Sequence, residues 1–223
     1  MNDPDVWAPP VPRAAQLHYE GAMSADHSRP DNRETLGVRI GLPGDLRVLR
    51  ERFPRECWHS HANLGSMARF WMSRHDMFRE LGTALGSATS EFLGGGLAAR
   101  EFAGWFAPRL QFLLSHLNTH HQIEDYHYFP IFRAADARLA RGFDLLENDH
   151  HVIHAAMDRT VTAANALLGT LGAGGDDLRR AGEAYAEASD PLLRLLLSHL
   201  DDEEDLIVPL ILDRGEDALG VGH

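Results

Sequence analysis

Two stretches of this chain carry an imidazole and a carboxylate one helical turn apart. His120 is followed by Glu124, and His199 by Glu203; a second acid comes next in each stretch (Asp125, Glu204), and a proline comes later (Pro130, Pro209). On an α-helix, residues four apart face the same way, separated by roughly 6 Å of rise. Each pair can therefore offer a nitrogen and an oxygen to one metal ion. The second copy follows the first by 79 residues, and the same offset carries His75 onto His154. His150, one turn before His154, has Trp71 as its counterpart. The candidate ligands are thus His75, His120, Glu124, His150, His154, His199 and Glu203. Imidazole suits iron, zinc, copper and nickel, and carboxylates can bridge two ions. Two ions would share these ligands unequally, three imidazoles against two, leaving room on the second for an outside ligand. A buried glutamate on a leucine-lined face is costly unless compensated, and two divalent cations would compensate both.

An internal repeat of this kind implies two helix hairpins. The first helix is expected from about Ala62 to about Phe92, with Leu64, Met67, Ala68, Trp71, Met72, Phe78 and Leu85 on the face that holds His75. The second should run from about Leu97 to about Ala134, bent near Pro108 and kinked or ended at Pro130. The third is expected over about 137–168 and the fourth over about 176–213, separated by Gly172, Gly174 and Gly175. Nothing reads as a strand. The predicted fold is all-α: an antiparallel up-down-up-down four-helix bundle over 58–215, preceded by an irregular Pro-rich N-terminal extension over 1–57 and followed by a frayed tail over 216–223. A short helix over about 45–53 fits Leu46, Leu49 and Phe53, with Pro54 ending it. Trp7, Leu17 and Tyr19 are candidate anchors for the extension, packed on the bundle or on a second subunit as a homodimer contact.

Composition narrows the partners. The chain has 223 residues and a net charge of −12, which argues against nucleic acid or an anionic membrane surface. No apolar run approaches the roughly 20 residues of a membrane span. The N-terminus lacks the basic-then-apolar pattern of a signal peptide, so a cytoplasmic location is expected. The single Cys57 allows neither an internal disulfide nor a thiolate site by itself.

The remaining polar residues read as supporting ones. His116 and His127 correspond to Leu195 and Leu206 under the offset, which suggests core or outer-layer positions, with His116 able to orient a ligand. His121 and His151 each follow a ligand by one residue and should face elsewhere. His61, 14 residues before His75, would lie roughly 21 Å away even on a continuous helix. Trp71 suggests packing, walling an open coordination position. Tyr126 and Tyr128 read as structural, with a tyrosine oxygen ligand as the alternative, and Asp201, Asp202 and Asp205 as a solvated face.

Taken together, these motifs resemble those of the hemerythrin family in its broader form, the HHE cation-binding domain. The matching pieces are His75, His120-x-x-x-Glu124 followed by Tyr-Phe-Pro, His150-x-x-x-His154 after Glu-Asn-Asp, and His199-x-x-x-Glu203-Glu204 followed by Val-Pro, over about residues 62–212. The resemblance implies a four-helix bundle holding two iron ions, a non-haem di-iron centre with an oxo or hydroxo bridge. In that picture His150, His154 and His199 hold one iron, His75 and His120 the other, and Glu124 with one acid of the fourth helix bridges them. Oxygen-carrying members place that acid five residues after the histidine, at Glu204 here; others use four, at Glu203, which the internal repeat favours. Members that repair iron–sulfur centres carry paired cysteines in an N-terminal segment, and this chain has only Cys57. The implied function is binding of dioxygen, or a related diatomic, for carriage, storage or sensing, favoured over enzymatic turnover. The alternatives are a di-iron redox enzyme or an iron-centre repair, nitric oxide or peroxide response protein, and a metal-stabilised structural or regulatory module. Zinc, manganese and nickel are also compatible with these ligands.

Overall fold

Ala68, Trp71, His75, Phe78, Gly82, Leu85, Thr89 and Phe92 are buried at alternating steps of three and four, the spacing of one helical face. They belong to α3 (Ser66–Leu93) of a computed structural model that describes residues 32–172 and 175–222. Before it come α1 (Val48–Arg52), which ends ahead of Pro54, and α2 (Arg55–Trp58). After α3 the chain turns through Gly94–Gly96, with Gly95 at φ 80°, into α4 (Ala99–Ile123). Next are α5 (Phe129–Ala135), α6 (Ala140–Thr170), α7 (Gly175–Arg214) and α8 (Glu216–Leu219). The described residues contain no strand.

Pro130 neither ends the second helix nor leaves it a plain α-helix. Residues Glu124–Tyr128 form a π-helical turn, and the Phe129 amide donates to the Glu124 carbonyl five residues back. A proline four residues after Tyr126 cannot donate to the Tyr126 carbonyl and would press its ring against it. The wider turn removes that conflict and lets the helix run on into α5.

Four long helices surround the interior: α3 contacts α4 and α7, and α6 contacts α7, α4 and α5. The interior divides into two apolar layers. One is built from Phe78, Leu113, Leu117, Ile153, Leu196 and Leu200, among others, and the second from Trp71, Phe129, Phe143, Leu146, Leu206 and Leu210 with their neighbours. Along each long helix the sequence passes from one layer to the other at a predicted ligand: at His75 between Trp71 and Phe78, at His120 and Glu124 between Leu117 and Phe129, at His150 between Leu146 and Ile153, and at Glu203 between Leu200 and Leu206. Gly142 allows a close helix approach, since a Cβ there would meet both terminal methyls of Leu206 within 3 Å.

One expectation about the ends needs correction. Residues 216–221 are not frayed: Leu219 and Val221 are buried in the second layer, and the buried Glu216 carboxylate accepts from Ala68 N at 2.8 Å and Met67 N at 3.3 Å. It thereby satisfies amides at the start of α3 that have no partner within the helix. Residues 32–58 pack on the same chain, with Leu36, Leu42, Leu46, Leu49 and Trp58 buried. The proposed anchors Trp7, Leu17 and Tyr19 lie outside the described residues. No described helix is long and apolar enough to cross a membrane.

Candidate metal centre

The cluster rests on two pairs of imidazoles that meet nitrogen to nitrogen. His75 Nε2 and His120 Nε2 are 3.0 Å apart, joining α3 to α4. His150 Nε2 and His199 Nε2 are 3.2 Å apart, joining α6 to α7. His75, His150 and His199 are buried, and His120 is nearly so. The outer nitrogens explain why the inner ones converge. His75 Nδ1 lies 3.0 Å from Glu204 Oε1, His150 Nδ1 2.8 Å from Asp125 Oδ1, and His199 Nδ1 3.3 Å from Asp149 Oδ2. An ionised carboxylate only accepts, so each of these Nδ1 atoms carries a proton, and each ring, in its neutral form, presents the Nε2 lone pair inward.

Two carboxylates stand between the pairs. Glu124 Oε1 is 2.9 Å from His120 Nε2, and its Oε2 is 3.6 Å from His150 Nε2. Glu203 Oε1 is 3.7 Å from His75 Nε2, and its Oε2 is 3.3 Å from His199 Nε2. Each glutamate therefore spans one imidazole of each pair. Both oxygens of Glu203, and Oε2 of Glu124, are buried without a hydrogen-bond partner. Orphaned carboxylate oxygens in an apolar interior are expensive. Facing lone pairs and orphaned oxygens together are the donor set of a cation site. Atoms each about 2.1 Å from one divalent ion sit roughly 3.0–3.5 Å from one another at ordinary bond angles, close to the separations found here.

Electrostatics agree. Burial lowers the pKa of His75, and takes those of His121 and His150 well below the usual value and that of His120 to about 4, favouring neutral ligand forms. Burial pushes Glu124 up to about 8. Burial also opposes charge on His199, but the Asp149 and Glu203 carboxylates outweigh it and raise that group to about 10. Without a cation, the cluster holds protons in its place, and binding a cation would release them.

Of the predicted ligands, His75, His120, Glu124 and Glu203 gather into one group and His150 and His199 into a second. His154 does not join them. Its Nε2 is 3.1 Å from His121 Nδ1, and His121 takes the third place beside His150 and His199. His121 is fully buried, its ring stacked on His150 at 3.9 Å, and its Nε2 has no partner. The expectation that it faces elsewhere fails for a geometric reason. Consecutive helical residues point about 100° apart, which is close to the angle between two neighbours of a helix in a four-helix arrangement. His120 addresses α3 and His121 addresses α6. The space that His154 would need is filled by the His121 ring.

The repeat also pairs differently in space than its 79-residue offset suggests. His75 and His150 are the equivalents, each with Nδ1 on the acid that follows a central glutamate, Glu204 and Asp125 respectively. Four residues are one turn, so sequence offset alone could not separate His150 from His154.

The supporting residues divide as well. Trp71 does more than pack: its Nε1–H donates to Glu124 Oε1 at 2.8 Å. His116 turns away, its Nδ1 3.0 Å from Arg74 Nη2, and His127 is exposed. Tyr128 stacks on Trp71, and Tyr126 is exposed. The acid run of α7 is not a plain solvated face. Asp202 is buried against Arg39, Asp205 binds Arg50 and Arg55 at 2.8 Å each, and Asp201 binds Arg79. Asp149 was missed, although it sits at helical spacing between Leu146 and Ile153, where an acid on an apolar stripe signals a buried role.

A small recess lined by Trp71, Met72, Ile207 and Val208 contains His75, Glu203 and Glu204 and has space for about one water-sized molecule. Residues 66–211 match the family model described as the hemerythrin HHE cation binding domain. No curated protein and no solved structure gives a significant match.

Proposed function

The chain belongs to the hemerythrin HHE cation-binding family, and we propose from that premise that it is a non-haem di-iron protein binding dioxygen or a related diatomic. Its four long helices would form the up-down-up-down bundle of that reading. His75 and His120 would hold one ion, His150 and His199 the other, and Glu124 and Glu203 would bridge them. The observation that carries this is the placement of each glutamate across one imidazole of each pair. Iron, when bound, supplies reversible one-electron chemistry and a coordination position for a small ligand.

The chain's own residues do the rest. Glu204, Asp125 and Asp149 orient the rings through Nδ1 and fix which nitrogen faces inward. The two apolar layers keep bulk water from the centre. The recess at Trp71 and Met72 has space for about one water-sized molecule, which favours a very small ligand over a larger substrate. Elemental mass spectrometry after anaerobic reconstitution with ferrous iron tests the reading. About two irons per chain, followed by reversible spectral change on dioxygen titration, is expected. Absence of tight iron, or a single zinc kept after Glu124→Gln and His120→Ala, would overturn it.

A further inference from the structure

Residues 34–58 precede the family match, yet they reach the acids that orient the cluster. A tight turn, closed by Val38 N and Arg39 N donating to the Thr35 carbonyl, is pinned by buried Leu36 and Leu42. Gly37, at φ 84°, brings the turn so close to α7 that a Cβ would meet Leu195 at 2.9 Å. This turn drives the Arg39 side chain inward, leaving it 3% exposed. Its guanidinium forks across two buried carboxylates. Nη1 donates to Asp149 Oδ1 at 2.7 Å with Nη2 on Oδ2, and Nε donates to Asp202 Oδ2 at 2.9 Å. Asp149 is the acid that faces His199 Nδ1. Arg55 of α2 reaches the other side through a single contact: its Nη1 donates to Glu204 Oε2 at 3.2 Å, while Glu204 Oε1 faces His75 Nδ1 and accepts from Arg79 of α3 at 2.8 Å.

We propose that the N-terminal extension is a working part of the metal centre, in which Arg39 and Arg55 are positioning residues that hold Asp149 and Glu204 against the imidazoles of His199 and His75. The inference rests on the two-metal reading above. One imidazole of each pair is thereby oriented through a carboxylate that an arginine of the extension also holds, at both oxygens of Asp149 and at the outer oxygen of Glu204. A bidentate guanidinium fixes carboxylate direction as well as charge. Without Arg39, Asp149 and Asp202 become adjacent buried anions with no shared cation. Partners of this kind typically govern metal affinity by 10- to 100-fold.

The test uses the full-length chain and cobalt(II), whose visible bands report coordination, in competition with a chelator. The variants are Arg39→Met, Arg39→Lys and Arg55→Met. Arg52→Met is the control, because Arg52 belongs to the same extension but binds Asp213 at the surface. Wild type and Arg52→Met are expected to take up two cobalt ions with the same spectrum. Arg55→Met and Arg39→Met should bind at least 10-fold more weakly with altered bands, and Arg39→Lys, which restores charge but not the fork, should recover part of the loss. If Arg39→Met fails to fold, Arg55→Met and Arg39→Lys decide. Wild-type affinity and bands in folded Arg55→Met and Arg39→Lys would overturn the inference while leaving the two-metal reading intact. Failure of the wild type itself to take up two ions would overturn that reading, and this one with it.

Discussion

Trp71 Nε1 donates to Glu124 Oε1 at 2.8 Å, the same oxygen that lies 2.9 Å from His120 Nε2. The indole thereby fixes the direction of a carboxylate whose other oxygen has no partner. Its ring stacks on Tyr128 and Phe132, so packing and hydrogen bonding are separable. Trp71→Phe keeps an aromatic ring in the stack and removes the donor. It should remain folded and release metal about 10-fold more readily in a chelator competition; unchanged retention would make Trp71 a packing residue only.

Glu203 and Glu204 are adjacent but do different work. Glu203 faces His75 and His199 with both oxygens free, whereas Glu204 accepts from Arg79 at 2.8 Å and faces the outer nitrogen of His75. Burial opposes charge on Glu204, yet hydrogen bonds from His75 and Arg79 outweigh it and hold its pKa near 2. Glu203→Gln should lose at least one of the two ions. Glu204→Gln should keep both, bound roughly 10- to 100-fold more weakly. Metal-to-protein ratios measured on both variants check the ranking, and the reverse order would move the bridge to Glu204.

The third imidazole beside His150 and His199 is His121, with His154 behind it. Removing His121 should therefore cost more metal affinity than removing His154. A loss of about 10-fold in His154→Ala, the scale for an outer partner, and a larger one in His121→Ala are expected by titration with cobalt(II). A larger loss in His154→Ala would return that residue to the ligand set.

Glu216 closes the structure far from its position in sequence, since its carboxylate serves the amides of Met67 and Ala68. A Cβ at Gly65 would collide with that carboxylate, so the site cannot be capped by a local side chain as well. Glu216→Ala should lower stability by about 1 kcal/mol, the usual worth of a helix N-cap, in urea denaturation. Gly65→Ala should also destabilise by displacing Glu216. Wild-type midpoints for both variants would contradict the latch.

Asp136 supplies a pH signature away from the cluster. Hydrogen bonds from Arg138 lower its pKa from 3.8 to about 2, against the opposing effect of burial, and Arg214 adds to the lowering. A carboxyl whose folded pKa is depressed contributes stability that is present above about pH 4 and lost as the pH falls toward 2. Asp136→Asn should thus cost ~1 kcal/mol at pH 6 and progressively less toward pH 3. Denaturation midpoints of both proteins at the two pH values check this, and a gap that widens in acid would refute it.

Helix positions and most of the cluster were legible from the chain because both depend on local periodicity. The three-and-four spacing through Trp71, His75 and Phe78 and the four-residue steps from His120 to Glu124 and His199 to Glu203 place each side chain on an inward face wherever the helices are helical. The family match over residues 66–211 follows from the same spacings. What periodicity could not decide was rotation and register between helices. His150 and His154 differ by one turn and point nearly alike, so only the packing of α6 against α4 could select His150 and fill the space of His154 with His121. The two adjacent acids Glu203 and Glu204 became distinct only once His199 lay beside one and Arg79 beside the other. Arg39 was invisible for a stronger reason. Its carboxylates are 110 and 163 residues away, and no local pattern marks which arginine of an irregular segment will be buried. Local chemistry determined which residues face inward; the closure of distant segments, driven by burial of Leu36, Leu42, Leu46 and Trp58 and by pairing of otherwise isolated charges, decided which of them meet.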